Sequence, residues 1–248
     1  MRKLLLLFCM AGMMSVGMSA QTKSEADSAF VHEEYEKAIA IYTGLLEQGE
    51  SADIYYNIGN CYYKTDQIAK AILNYERAAL LDPGDANIRF NLAMARNKTV
   101  DKIIPHTEMF FITWFNQITD WMSIDGWAYT AIVLFVCMLG ALLFYFLMNR
   151  VIWKKIFFYT AVVCLPLVIL CNVFARRQKT RLTERTVAVV MQPSVVVRST
   201  PTQSGTDLFI LHEGTRVEIT DDSMEEWKEV KLVDGKVGWV LSSDIERV

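Results

Sequence analysis

Ser51-Ala-Asp-Ile-Tyr-Tyr-Asn-Ile-Gly59 returns 34 residues later as Asp85-Ala-Asn-Ile-Arg-Phe-Asn-Leu-Ala93, with Ala, Ile, Asn, an aliphatic residue and a small residue in step. Between the copies, 66–81 matches 33–47: Ala71 falls on Ala38, Ile72 on Ile39, Tyr75 on Tyr42 and Ala78 on Leu45. A fixed period of this length is the signature of stacked repeats. Helical spacing puts Tyr55, Ile58 and Tyr62 on one face of a first helix, and Ala71, Tyr75 and Ala78 on one face of a second. Gly59 and Ala71 are small enough to let the two helices approach closely. Asp66 is placed to cap the second helix and Asp85 the next, while Pro83-Gly84 ends the pair.

This pattern resembles the tetratricopeptide repeat: Tyr55-x2-Ile58-Gly59-x2-Tyr62, then Ala71-x3-Tyr75, then Pro83, with Tyr for the usual Trp and Phe and Ile for the usual Leu. The match is best over 52–85. The preceding unit, 25–49, lacks the Gly and the Pro, and 86–100 is half a repeat, predicted to be the capping helix. The whole repeat domain is expected over 21–104. Such units cannot bury their faces alone, so they stack and leave a concave surface. The resemblance implies that this surface binds extended peptides or partner helices, through Tyr56, Asn60, Tyr63, Lys64, Phe90 and Asn97. Several of these residues are also what any such repeat carries. Cys61 reads as a packed small residue rather than a reactive thiol.

Outward from the repeat, apolar residues concentrate. The 248-residue chain is 52% hydrophobic and 21% charged, with a formal net charge of −3, which excludes a disordered chain and argues against nucleic acid as a partner. Residues 1–20, with a basic start, a long apolar run and small residues at the end, read as a secretory signal. Two further runs, 127–148 and 156–174, are free of charge and long enough to cross the hydrocarbon core. A tight hairpin, 149–155, joins them. With an exported N-terminus, both soluble parts are expected outside the cytoplasm and the hairpin inside, the charges of Arg150, Lys154 and Lys155 agreeing with that side. Arg176, Arg177, Lys179 and Arg181, in the basic linker 175–185, oppose it. Before the first run, the aromatic stripe Phe110, Phe111, Trp114, Phe115 and Trp121 predicts a helix within 105–126 lying in the membrane interface, with packing on the neighbouring soluble domain as the alternative.

After the linker the composition turns to short alternating runs: Val195-Val196-Val197-Arg198-Ser199-Thr200-Pro201, Glu213-Gly214-Thr215, Trp227, Asp234-Gly235 and Gly238-Trp239-Val240. This order is similar to the bacterial SH3-like domain, over 186–248. The resemblance implies binding of peptides or cell-wall peptide stems, with Trp227 and Trp239 as an aromatic platform or, equally, as core. Twelve acidic against seven basic residues from 183 onward disfavour simple attraction to anionic wall polymers.

The fold class expected is therefore a multidomain membrane protein: an all-α tetratricopeptide-repeat domain, a two-helix transmembrane hairpin and a small all-β SH3-like barrel. No catalytic, metal or cofactor constellation is legible; His32, His106 and His212 lie in three different regions. As a whole the architecture resembles the BatE-type proteins of the Bacteroides aerotolerance operon. That implies a non-enzymatic inner-membrane scaffold whose modules face the periplasm, beside von Willebrand A-domain membrane proteins and a MoxR-type ATPase. A cell-wall accessory holding peptidoglycan is the alternative.

Overall fold

The computed structural model describes residues 23–103 and 109–248. The signal reading at 1–20, and His106, lie outside the described residues. The chain forms two units. Among the described residues, one holds five helices and the β-strands, and the other holds three helices between residues 109 and 185. The expected combination of repeat helices, two long apolar helices and an antiparallel β-domain is what the chain adopts.

In the first unit, α1 (residues 23–31), α2 (Tyr35–Leu46), α3 (Ala52–Lys64), α4 (Ile68–Leu81) and α5 (Ala86–Arg96) follow one another in helical pairs. Tyr42, Leu45, Ile58 and Cys61 close a core among α1, α2 and α3. Ala71 and Tyr75 are fully buried between α3 and α4. Gly59 is needed there because a Cβ would stand 2.6 Å from the Tyr75 ring carbons. Asp66 does not cap α4. It takes a positive φ of 59° in the turn after α3, a conformation that Asp tolerates better than most residues, and its carboxylate instead meets Lys98 at 3.1 Å.

The β-domain is a seven-stranded antiparallel sheet of order β3-β2-β6-β5-β4-β1-β7. Its strands are β1 (Val187–Val190), β2 (Ser194–Arg198), β3 (Asp207–His212), β4 (Arg216–Asp221), β5 (Trp227–Lys231), β6 (Val237–Leu241) and β7 (Ile245–Arg247). Alternation buries Val195, Val197, Val217, Ile219, Val230 and Val240 in one core. The Asp234-Gly235 turn joins β5 to β6, with Gly235 at φ 89° and Asp234 accepting from the Lys236 amide at 3.1 Å.

The repeat helices and the β-domain are continuous. Val189 and the C-terminal Val248 share one core with Ile72, Leu73, Tyr75 and Leu92. Around it, the buried Glu76 pairs with Arg96 and lies 3.7 Å from Arg216. Arg77 reaches Glu246 and the carbonyl of Arg247 at 2.9 and 2.8 Å. Asp101 accepts from the His212 amide and the Thr215 hydroxyl, both at 2.7 Å, and meets His212 Nδ1 at 2.8 Å. Gly214, at φ 81°, makes the close approach possible, since a Cβ would stand 2.8 Å from Thr99 and 3.0 Å from Ile72.

In the second unit, α6 (Phe110–Thr119) precedes α7 (Ile124–Leu147) and α8 (Val151–Glu184). Both α7 and α8 are long and apolar enough to cross a membrane. Only 6% and 17% of their most apolar windows are covered by the rest of the chain, unlike the core helix of a soluble domain. The hairpin tightens to the few residues between Leu147 and Val151. The basic stretch read as a linker is instead the last turns of α8, which runs to Glu184 and ends at Arg185 in a left-handed conformation. Residues 175–184 contain no Gly or Pro, and Arg, Gln, Lys and Leu favour helix, so the helix has no reason to stop at the end of the apolar run.

Candidate functional site

The repeat period has a polar counterpart. On α2, the Tyr42 hydroxyl donates to the Asp27 carboxylate of α1 and is bonded by the Asn57 side chain of α3. One repeat on, the Tyr75 hydroxyl of α4 donates to Asn60 Oδ1 of α3 at 2.7 Å and is bonded by the Asn91 side chain of α5. Asn91 Nδ2 also donates to Asn60 Oδ1 and to the Tyr56 hydroxyl, both at 2.9 Å. Burial, first of all, pushes both tyrosine hydroxyls up, with Asp27 adding at Tyr42 and Tyr56 at Tyr75. They therefore stay protonated and keep donating. Each bond is worth about 1 kcal/mol, but removing one partner strands the other in a confined place.

Above the second level opens a cavity of about 200 Å³, lined by Phe30, Asn60, Tyr63, Lys64, Tyr75, Asn91 and Met94. It is lined from α1, α3, α4 and α5, with Phe30 and Met94 as its apolar side chains and Asn60, Asn91 and the tyrosines as its polar ones. Lys64 is exposed at the rim, and its side chain has no hydrogen bond or ion pair among the described residues. Lys98 covers the Tyr63 ring at 4.4 Å, bringing a second cation beside it. Such a site suits an extended chain segment: an apolar side chain can enter, amides can pair with its backbone, and a carboxylate can meet Lys64.

Of the residues expected on the concave surface, Asn60, Tyr63 and Lys64 line the cavity, and Tyr56 joins its polar network through Asn91. Phe90 is well exposed on α5 outside the lining, and Asn97 lies beyond the end of that helix, its carbonyl accepting from Lys102 at 2.7 Å. Phe30, Asn91 and Met94 were not singled out from the sequence. The period itself carried the signal for two of them: Asn91 is Asn57 plus 34, and Met94 is Asn60 plus 34. Cys61 is fully buried, and burial pushes its thiol up to about 11, leaving it an unreactive packing residue.

In the β-domain, Trp227 is buried, opposite Leu241, and Trp239 stays partly exposed, opposite Glu229 and near Arg198. Among the described residues, no group of three or more His, Cys, Asp or Glu is arranged to hold a metal ion.

A grooved repeat stack joined to a small β-domain is the build of an interaction protein. Residues 52–85 match the tetratricopeptide repeat family, and residues 193–246 match the bacterial SH3 domain family. No curated protein matches the chain.

Proposed function

We propose that this chain is a non-enzymatic scaffold of the bacterial inner membrane, anchored by α7 and α8, whose groove holds an extended segment of a partner protein. The observation that carries this reading is the cavity lined from α1, α3, α4 and α5, with apolar side chains, paired amides and at its rim Lys64, whose side chain has no partner among the described residues. Anchoring raises the local concentration of both partners, so a modest groove suffices. Both modules face the periplasm in this reading, and the resemblance to BatE-type proteins makes von Willebrand A-domain membrane proteins the partners of choice. A photocrosslinking residue at Met94 of the full chain, in intact membranes, is expected to yield a discrete protein adduct. Lys64→Glu should diminish that adduct several-fold, since losing an ion pair at an exposed rim costs about 1 kcal/mol. Adducts no different from those of a crosslinker at Glu218, on the β-domain, would overturn the reading.

The match to the bacterial SH3 family supports a second reading, in which the β-domain holds peptidoglycan. Co-sedimentation of the full chain in detergent with purified sacculi separates the two. Retention that Trp239→Ala abolishes favours the wall-binding reading.

A further inference from the structure

The helix α6 has two unlike sides. Phe115, Ile118 and Met122 pack against Trp127, Ala131, Cys171 and Phe174, closing a small core with α7 and α8. Next to that core, polar groups bind α8 where it leaves its apolar run. Asp120 pairs with Arg181 at 2.6 Å, Asn116 accepts from Arg177 at 3.1 Å and from Arg181 at 3.2 Å, and Gln178 donates to the carbonyls of Thr119 and Met122, both at 2.6 Å. The Trp127 indole donates to the Thr119 carbonyl at 3.0 Å. The rest of α6 is exposed, uncharged and mostly aromatic, with Thr113 and Gln117 its exposed polar residues. Phe110 is 84% exposed, Trp121 just beyond the helix is 74% exposed, and Phe111 and Trp114 are exposed between them.

We propose that this bare aromatic side is a lipid-binding surface, seated in the interfacial layer of the bilayer, and that its polar side is a bracket fixing the level at which α8 leaves the hydrocarbon. The inference rests on α7 and α8 crossing the membrane and adds a third element to that contact. Three observations favour lipid over a protein partner. The aromatic side adjoins the start of α7, where Tyr129 is also exposed. A second set of exposed aromatics, Phe146, Trp153 and Tyr159, stands near the opposite end of the helical pair. From Tyr129 to Phe146 is about 26 Å of helix, close to the hydrocarbon thickness of about 30 Å, so the two sets sit where interfacial belts of Trp and Tyr belong. The cations Arg177 and Arg181, which would otherwise stand bare beside this layer, are already held by Asn116 and Asp120. The exposed residues of α6 are Phe110, Phe111, Ile112 and Trp114, with only the uncharged Thr113 and Gln117 beside them, a composition suited to a helix half sunk in headgroups.

The test uses the full chain in vesicles of phosphatidylethanolamine and phosphatidylglycerol, with one of its six tryptophans kept at a time and the others replaced by Phe. The probe is quenching by lipids brominated near the top of the acyl chain. Trp114 alone and Trp153 alone should each lose about half their fluorescence, as interfacial side chains do, while Trp239 alone stays unquenched. Adding Asp120→Asn and Asn116→Ala should reduce quenching at Trp114 and leave Trp153 unchanged, which mere loss of folding would not do. Trp114 unquenched beside a quenched Trp153 overturns the inference and leaves the membrane-spanning reading standing. If neither is quenched, both fall.

Discussion

Gly59→Val is expected to collapse the repeat stack, with the α-helical signal of residues 23–103 melting far below that of the unaltered chain. A Cβ at this position already lies 2.6 Å from Cδ1 and Cε1 of Tyr75, inside any tolerable contact. The ring cannot retreat. It is 1% exposed, its hydroxyl is held between Asn60 and Asn91, and Tyr56 stands 5.9 Å away on the groove side. Overpacking of this kind costs about 1–3 kcal/mol for a methyl, and a β-branched side chain in the same slot costs more, against a stability of about 5–15 kcal/mol for a whole domain. The sign of Gly59→Ala decides the argument. Helix propensity alone would make that change stabilising by about 1 kcal/mol, as expected at Gly44 of α2, where a Cβ meets nothing within 4 Å. Gly59→Ala must therefore destabilise while Gly44→Ala stabilises, as read by thermal or denaturant unfolding of the full chain in detergent. If the two substitutions move stability in the same direction, the close approach of α3 and α4 does not govern this fold.

The repeat was legible because burial repeats with it. Ala71, Tyr75 and Gly59 are small or large where the neighbouring helix demands it, and a period of 34 residues reports that directly. What periodicity does not report is where a buried side chain sends its polar end. Tyr42 and Tyr75 match as core positions, yet their hydroxyls are gripped by Asp27 and Asn57 at one level and by Asn60 and Asn91 at the next, and the second of these levels lines the groove. The charged end of α8 was misread for a related reason. A hydropathy run ends where lipid ends, whereas a helix ends where its backbone can no longer continue, and nothing before Arg185 stops it. The joining of the repeat helices to the β-domain was not legible at all. It depends on Val248 at the last position, Val189 on β1 and Asp101, which meets a histidine 111 residues further on. Local pattern carries no information about such pairs.

That joint leads to the second large effect. Glu76→Ala should uncouple the repeat stack from the β-domain without unfolding either, seen as faster amide hydrogen exchange in β1 and α4 while β2 and β3 keep their protection. The Glu76 side chain is 9% exposed and lies between Arg96 and Arg216, so its removal strands two guanidinium groups at the joint. A fully buried pair broken in this way costs about 3–5 kcal/mol, but both arginines retain contact with water, which brings the loss down to about 2 kcal/mol. Asp101 adds a pH dependence to the same joint. Burial alone would raise its carboxyl, but the His212 amide, the Thr215 hydroxyl and the His212 ring more than offset this and hold it below the ordinary value of 3.8. A carboxyl lowered in the folded state contributes stability that is fully present above its unfolded value and is lost as pH falls through the folded one. Exchange in β1 should therefore quicken as pH drops below about 4, once the intrinsic pH dependence of exchange is removed, and Asp101→Asn should flatten that response. Protection in β1 that neither Glu76→Ala nor acid diminishes would mean that the shared apolar core around Ile72, Val189 and Val248 holds the two parts together by itself.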